Sequence, residues 1–455
     1  MLVDKKTDFT KEKLSFHEID EGFTTKEAIA EARRCLNCPK PLCRMGCPIE
    51  NEIPDFIQAL AKGNLGEAST IIARRSSLPA VCGRVCPHEK QCEGACILNK
   101  KDRGIKIGKL ERFIADFDTE MDIARPGPVP CVHGKVAVIG SGPAGLTVAG
   151  DLAKMGFDVV IFESQAEAGG VLMYGIPEFR LGKEVVRREI KRIEDLGVKI
   201  KTDILVGRDV TIDQLFMEGF DAIFIGTGTA LPKILDIPGK DLIGVIQATY
   251  LLRMVMLIRT EKIDRKETPV NTRDKVVVIG AGNVAMDAAR TAVRLGASKV
   301  TVMYRRTEQE MTALPSEVEA ARAEGVEFKL LSKPTAILGT GQVTGLEYEL
   351  QEIDKSGNLR GTGIRETMEA DRIVAAIGQR PAARIVSTTE GIEVDANGYV
   401  ITRERPYGMT ARKGVFAGGD VVHQPATVVL AMKEAKKLAA GIAQYVEAKK
   451  LIENC

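Results

Sequence analysis

No stretch of this sequence approaches the ~20 consecutive apolar residues that a membrane helix requires. The opening MLVDKKTDFTKEKLSFHEID has no apolar core of the kind a secretion signal carries, so a cytoplasmic chain is expected. Charge of one sign is also missing: 64 basic residues stand against 62 acidic ones along the whole length, which leaves no long basic field for nucleic acid to neutralise. No GxSxG motif presents a nucleophilic serine. The four histidines form no cluster by sequence, and structural roles are expected of His88 and His423. Cysteine nearly vanishes after residue 131, where Cys455 alone remains.

Before that point cysteine is dense. Eight of the ten lie in two groups, Cys35-x2-Cys38-x4-Cys43-x3-Cys47-Pro48 and Cys82-x3-Cys86-Pro87-x4-Cys92-x3-Cys96. In a cytoplasmic chain disulfides are disfavoured, and thiolates at such spacing can converge on a soft metal or an iron–sulfur cluster. A pair of four-thiolate zinc sites is the competing reading. Cys131 and Cys455 have no grouped partners and read as plain thiols. From Thr25 to about Phe117 the pattern is helical or irregular, with EAIAEARR, IPDFIQALAKGN and IGKLERFIADF and almost no strand signal. MDIARPGPVPCVHG then reads as a linker that ends a domain. With 455 residues, two or three domains are expected.

After the linker, KVAVIG, SGPAGLTVAGDLAKMG and DVVIFE make a strand, a glycine turn with its helix, and a second strand. Gly140-x-Gly142-x-x-Gly145 permits a tight turn and close approach of a pyrophosphate to the helix N-terminus. Glu163, closing the second strand, is placed to accept from adenosine ribose hydroxyls. The same order recurs as KVVVIG, AGNVAMDAARTAVRLG and KVTVMYRR, with Gly280-x-Gly282-x-x-Ala285 as the second fingerprint. The residue equivalent to Glu163 is Met303, followed by Tyr304, Arg305 and Arg306. No acid is available there for a ribose 2′-hydroxyl, and two guanidiniums are available for a 2′-phosphate, so NADP(H) is preferred to NAD(H). The amphipathic EVVRREIKRIEDLG, with Val186, Ile190 and Ile193 on one face, reads as a packing helix. RTEKIDRKETPVNTRD reads as a solvated connection. GVFAGGD, ending at Asp420, precedes a last helix from about Thr427 to Val446.

Together, the eight cysteines, VIGSGPAGL, GGVLMYGIPEFRL, VIGAGNVAMDAARTAVRLG, YRR and VFAGGD resemble the glutamate synthase small (β) subunit-like FAD/NAD(P)H iron–sulfur oxidoreductases. That family includes the N-terminal half of dihydropyrimidine dehydrogenase and the large subunit of NADH-dependent reduced ferredoxin:NADP oxidoreductase. The resemblance spans about Lys26 to Val446. It implies an α/β fold with a helical N-terminal iron–sulfur domain (1–125) followed by two Rossmann-like domains, the second inserted in the first. The FAD-binding domain would cover 134–235 and 375–455, and the NADP(H)-binding domain 236–374.

The resemblance also implies roles. Gly140, Ser141, Gly142, Pro143, Ala144, Gly145, Glu163, Gly170, Val206, Thr227, Gly228, Gly419, Asp420 and Thr427 would surround FAD, with Asp420 at its ribityl–pyrophosphate region. The last helix would direct its N-terminal dipole at the flavin. Gly280, Gly282, Asn283, Val284, Ala285, Arg305, Arg306 and Gly378 would surround NADP(H). Cys35, Cys38, Cys43 and Cys96 would hold one [4Fe–4S] cluster, and Cys47, Cys86 and Cys92 three corners of another, with Cys82 or Glu111 as the fourth. The cofactors carry the chemistry, so no catalytic side chain is required. Such a chain implies a partner: a second flavoprotein or synthase subunit, with ferredoxin as electron carrier, in a hetero-oligomer. Among the family's members, a ferredoxin:NADP oxidoreductase, with the bifurcating transhydrogenase large subunit as one form, is ranked ahead of a glutamate synthase small subunit. A non-catalytic, metal-stapled module that senses nucleotides is the alternative of another class.

Overall fold

The computed structural model describes residues 15–101, 103–121, 127–354, 356–382 and 384–453. Contacts divide the chain into two compact units. One comprises Glu21–Met173, Lys183–Leu231 and Arg380–Cys455, and the other Met1–Asp20, Tyr174–Gly182 and Pro232–Gln379.

The first unit opens with helices and, among the described residues, has no strand before Gly134. Thr24 and Glu27 form a reciprocal capping box on the Thr25–Ala32 helix, which satisfies two backbone donors at its start. The Ile53–Ala61 helix buries Ile53, Phe56, Ile57 and Leu60, an i, i+3, i+4, i+7 stripe. The Ile107–Met121 helix buries Ile107, Leu110, Ile114 and Ala115, and on the same face Glu111 and Asp118. These stripes make one core, against which Cys35, Cys43, Cys47, Cys92 and Cys96 pack. The thiols are therefore held by a hydrophobic scaffold rather than by a disulfide frame.

The same unit contains a five-stranded parallel sheet, in the order Val415–Ala417, Ala222–Ile225, Gly134–Ile139, Phe157–Phe162, Lys199–Lys201. Val136, Ala137 and Val138 are fully buried in its central strand, as the continuous apolar run requires of a sheet covered on both faces. The Pro143–Lys154 helix and the Val428–Glu453 helix pack on each other. The last helix thus starts one residue after the expected Thr427 and continues beyond Val446. The KIKTDILV strand is shorter than its pattern, covering Lys199–Lys201 only, because the chain turns at Asp203 with φ +58°.

The helical region lies in this unit rather than forming a compact unit of its own. Buried polar contacts join it to the sheet region: Glu189 accepts from the Ala80 N–H at 3.1 Å, and Arg192 meets Asp118 at 2.7 Å. Arg192 and Glu189 sit on the Lys183–Glu194 helix that the sequence marks as packing.

The second unit has its own parallel sheet, Val245–Gln247, Arg372–Ala375, Lys275–Ile279, Lys299–Met303, Glu327–Lys329. A three-stranded antiparallel sheet follows, built from Ser332–Thr340, Gln342–Ile353 and Leu359–Glu369.

Candidate functional site

The cysteines sort into two sets that mix the sequence groups. Cys35, Cys38, Cys43 and Cys96 line one cavity of about 210 Å³, walled by Ile53, Ile57, Ile105 and Ile107. Asn37, at φ +48°, turns the chain between the first two thiols, and the Leu42–Gly46 helix carries the third. Burial raises the Cys43 thiol to about 11, and neighbouring Cys35, Cys96 and Cys38 push it the same way. Burial also raises Cys35, against hydrogen bonds from Asn37 and Gln58 that favour its thiolate.

The second set is Cys47, Cys82, Cys86 and Cys92. Burial raises Cys47 to about 11, with Glu111 and Cys82 adding to it. Cys86 is raised by its contact with Cys82 and by burial, and Cys92 chiefly by burial, with the Glu111 carboxyl acting on both. Glu111 accepts from Asn51 Nδ2 at 3.4 Å, and burial lifts it to about 8. Cys82 Sγ also lies 3.6 Å from Met432 Sδ and 3.9 Å from Ser76 Oγ. Both candidates for the fourth corner are therefore at the second set. Crowded, desolvated thiols resist ionisation, and a cationic core that binds thiolate reverses that preference. Among the described residues no three His, Cys, Asp or Glu side chains close as ligands of a single metal ion. Four thiols around a void of this size suit a polyatomic cluster better than one zinc ion with sulfurs ~2.3 Å away. The His88 ring packs against Gly108, where a Cβ would lie 2.4 Å away, and hydrogen-bonds the Cys82 backbone; burial lowers it to about 4 against that bond.

The first glycine turn is shaped by contacts that exclude side chains. A Cβ on Gly145 would lie 1.9 Å from the Gly140 carbonyl, and Gly140 itself has φ +97°. Gly142 differs: it caps the Pro143–Lys154 helix with no side-chain acceptor, and a Cβ there meets nothing within 4 Å. The helix start is an open cradle with unsatisfied N–H groups, as an anionic pyrophosphate requires. Gly170, with φ +53°, passes so close that its Cβ would lie 2.8 Å from Gly142 Cα. A Cβ on Gly419 would meet Ala144 Cβ at 3.0 Å, which places the Gly419–Asp420 turn beside the fingerprint. Burial raises the Asp420 carboxyl, opposed by a hydrogen bond from the Ala426 backbone. Thr427 caps the last helix by accepting from Leu430 N at 3.3 Å. Val206 is buried in the core of the sheet, whereas Thr227 is exposed and Gly228 has φ +62° with open space beside it.

Ser141 is fully buried, and its hydroxyl joins Glu163 at 2.5 Å and accepts from Gly169 N at 2.9 Å. Glu163 also accepts from Ser141 N and Gln165 N. Ser141 therefore fixes the acid and the glycine loop from inside. Sequence reasoning missed Glu434, which accepts from Gly419 N at 2.8 Å and meets His423 at 2.6 Å. It stands two turns into a helix and carried no motif.

The second turn repeats the first within its own unit. A Cβ on Gly280 would lie 2.4 Å from the Ala376 carbonyl, and Gly282 caps the Asn283–Arg294 helix without a side-chain acceptor. Ala285 is buried and Val284 exposed. Asn283 Oδ1 is engaged by Leu314 N at 2.9 Å, a loop-bracing role. Arg305 and Arg306 are exposed after the Lys299–Met303 strand, Arg306 3.5 Å from Glu310. Gly378, with φ +103°, accepts from Lys233 N. A buried ionic network braces this helix. Arg180 meets Asp287 at 2.8 Å and Glu317 at 2.9 Å, and Arg290 and Arg294 both reach Glu324. Phe179 lies beneath both of those guanidiniums, with centroid distances of 4.8 and 3.9 Å. The i, i+3, i+7 spacing of Asp287, Arg290 and Arg294 was the only signal of that face.

The family model described as dihydropyrimidine dehydrogenase domain II, 4Fe-4S cluster, matches residues 12–123, and that of pyridine nucleotide-disulphide oxidoreductase matches residues 134–435. The glutamate synthase [NADPH] small chain of Halomonas elongata is 39% identical over 95% of this chain and 93% of its own. That of Escherichia coli is 38% identical over 96% and 95%. FprA of Mycobacterium tuberculosis, solved in complex with NADPH, superposes with a TM-score of 0.60 at 19% identity, covering 71% of this chain and 87% of its own, a likeness of fold.

Proposed function

The chain belongs to the pyridine nucleotide-disulphide oxidoreductase family, in the branch with an N-terminal 4Fe–4S domain that includes the glutamate synthase small chains, and on that premise we propose that it carries electrons between NADP(H) and a one-electron partner protein. It is an NAD(P)H-dependent oxidoreductase of the FAD and iron–sulfur class. The observation that carries the electron-transfer reading is the convergence of Cys96 with Cys35, Cys38 and Cys43 around one cavity, across half a hundred intervening residues.

Residues 1–125 form the cluster-binding part, 134–235 with 375–455 the FAD part, and 236–374 the NADP(H) part. Cys35, Cys38, Cys43 and Cys96 hold one [4Fe–4S] cluster. Cys47, Cys86 and Cys92 hold the second, completed by Cys82 or Glu111. The open helix start at Gly142 takes the FAD pyrophosphate, Glu163 faces the adenosine ribose, and Asp420 lies at the ribityl side. Gly282 and Ala285 receive the NADP(H) pyrophosphate, and Arg305 and Arg306 the 2′-phosphate. Bound FAD supplies the exchange between hydride and single-electron traffic. The partner is a ferredoxin-type carrier, which makes the chain a ferredoxin:NADP oxidoreductase. The second reading, a glutamate synthase small chain, is favoured by identity running through nearly the whole length of those relatives.

Purified protein should show a flavin spectrum and ~8 iron atoms per chain, as two cubane clusters require. A colourless protein with stoichiometric zinc would sink the electron-transfer reading. Replacing Arg305 and Arg306 together with alanine should raise KM for NADPH roughly 10-fold or more and change KM for NADH little, since charge-assisted contacts to the phosphate are lost. Equal losses with both nucleotides would remove the 2′-phosphate assignment. Copurification of a glutamine-hydrolysing large subunit would decide for the second reading.

A further inference from the structure

The position equivalent to Glu163 in the second unit is Met303, which is buried in a hydrophobic core with Val277, Ile279 and Ile373 and offers a ribose no polar atom. The chain does not leave the site there. Tyr304 stays paired to the neighbouring segment, its N–H donating to the Lys329 carbonyl and its carbonyl accepting from Ser332 N, and Leu331 N donates to the Arg306 carbonyl. The short turn Glu308–Glu310 then brings the chain back, and the Tyr304 hydroxyl donates to the Glu310 carbonyl at 2.9 Å. Shortly after, Thr312 N and Ala313 N both donate to the Ala281 carbonyl, inside the glycine fingerprint. Residues 304–313 thus form a strap from the strand end to the fingerprint, the interval in which a Rossmann-type site holds the adenosine ribose.

The charges on this strap are not equivalent. Glu308 pairs with Arg322 at 2.9 Å. Arg305 is exposed and, among the described residues, has no ion pair. Arg306 lies 3.5 Å from Glu310, with 44% and 42% of the two side chains exposed. Glu310 Oε2 accepts from Thr307 N at 3.2 Å and from Thr307 Oγ1 at 3.0 Å, while Oε1 has, among the described residues, only the long contact to Arg306. The capping box therefore fixes where the carboxylate stands and leaves one oxygen able to accept, since a carboxylate carries about four lone-pair sites. A pair at that separation between half-exposed side chains is readily exchanged for a better partner. In sequence two guanidiniums and no acid follow the strand; the fold returns one acid to them.

We propose that this strap gives the site two nucleotides: NADPH, whose 2′-phosphate takes Arg305 and Arg306, and NADH, whose adenosine 2′-hydroxyl donates to the open Glu310 oxygen while Arg306 stays beside it. The inference rests on the NADP(H) reading of the second unit and extends it. Glu310 sets the ratio between the two, because its carboxylate opposes a 2′-phosphate by charge and favours a 2′-hydroxyl by hydrogen bonding. In either case one hydride leaves the nicotinamide and is taken up with one proton at the flavin, and the oxidised nucleotide departs.

The test uses the holoenzyme, with NADPH or NADH as donor and menadione as acceptor, and a second readout without turnover, the calorimetric binding of adenosine 2′,5′-bisphosphate and of ADP. Wild type should turn over with both donors at kcat values within roughly 3-fold of one another, since the hydride step is common, and differ in KM. Glu310→Gln keeps one oxygen for the Thr307 cap and sets an amide donor where the open oxygen stood. It should raise KM for NADH and Kd for ADP roughly 5-fold or more with kcat unchanged, because a hydrogen bond to a charged acceptor is lost. KM for NADPH and Kd for the bisphosphate should stay level or fall, because a like charge beside the phosphate is removed. Wild-type protein that oxidises NADPH but not NADH would overturn the inference without any variant. An unchanged KM for NADH in Glu310→Gln, or equal rises for both nucleotides, would also overturn it, the latter by showing that the carboxylate only braces the strap. Failure of the wild type to oxidise either nucleotide would instead overturn the oxidoreductase reading beneath it.

Discussion

Glu189 is enclosed by the Ala80 N–H, Arg192, Arg84, Asp116 and Glu111, and one of its carboxylate oxygens has no hydrogen-bond partner. Burial raises it to about 7 despite the favourable charge of Arg192. The sign follows from the two states. In the unfolded chain the carboxyl releases its proton near the ordinary value of 4.5, whereas in the folded chain it keeps it until about 7. The folded state binds the additional proton between those values, so the group's contribution to stability falls as pH rises through that window and is flat above it. The span corresponds to about 3 kcal/mol as an upper figure. Glu189→Gln keeps the acceptor for Ala80 and removes the titration. Its apparent Tm should match wild type near pH 4.5 and exceed it by several degrees at pH 8, measured by thermal unfolding in matched buffers. A constant difference across that range would show that Glu189 does not titrate there.

The two glycine turns show what elements do that single residues do not. Each begins at a strand end, needs a positive φ at its first glycine, and opens a helix whose cap is left without a side chain. This was legible in the sequence because strand, glycine spacing and helix constrain one another. The inward half of the site was not. Ser141 reads as a loop residue in contact with cofactor, yet it holds Glu163 and Gly169 from the buried side. Asn283 likewise braces Leu314. The excursion of Tyr174–Gly182 into the second unit also escaped a reading based on local pattern, since its anchors, Asp287, Glu317, Arg290 and Arg294, lie over a hundred residues away. The structure separates two glycines that the motif treats alike. A methyl group on Gly145 collides with the Gly140 backbone, whereas one on Gly142 points into free space. Gly145→Ala should therefore lower thermal stability by several kcal/mol through overpacking and backbone displacement. Gly142→Ala should fold with near wild-type stability but lose bound flavin, because the added methyl occupies the pyrophosphate cradle. Full flavin content in Gly142→Ala, read from the absorbance ratio after gel filtration, would move the cradle elsewhere.

Over the whole molecule, the decisive arrangement is that neighbours in sequence are not neighbours in function. Cys43 and Cys47 are separated by a single helical turn, yet Cys43 lines the cavity shared with Cys96, and Cys47 faces Cys82, Cys92 and Glu111. Cys92 and Cys96 part in the same way. Two short peptides thus cross, and each cluster would tie both together, so the helical scaffold and the clusters stabilise one another. The crossing makes iron content a direct assay of connectivity. Cys96→Ser, in the second sequence group, should remove the same cluster as Cys35→Ser in the first, leaving ~4 iron atoms per chain in each case. Cys47→Ser should remove the other; the double variant Cys35→Ser/Cys47→Ser should then approach zero, and Cys35→Ser/Cys96→Ser should keep ~4 iron atoms. If ligands instead followed sequence groups, Cys47→Ser and Cys35→Ser would deplete one cluster together and their double variant would still retain ~4 iron atoms. The same assay decides the last corner. Cys82 is engaged with Met432 and Ser76, whereas Glu111 acts on three of the second set's thiols, so both stand within the site. Comparing Cys82→Ser with Glu111→Gln by iron content and by the electron paramagnetic resonance signal of the reduced protein assigns the ligand, because only loss of the true fourth donor alters the second cluster's signal while the first remains.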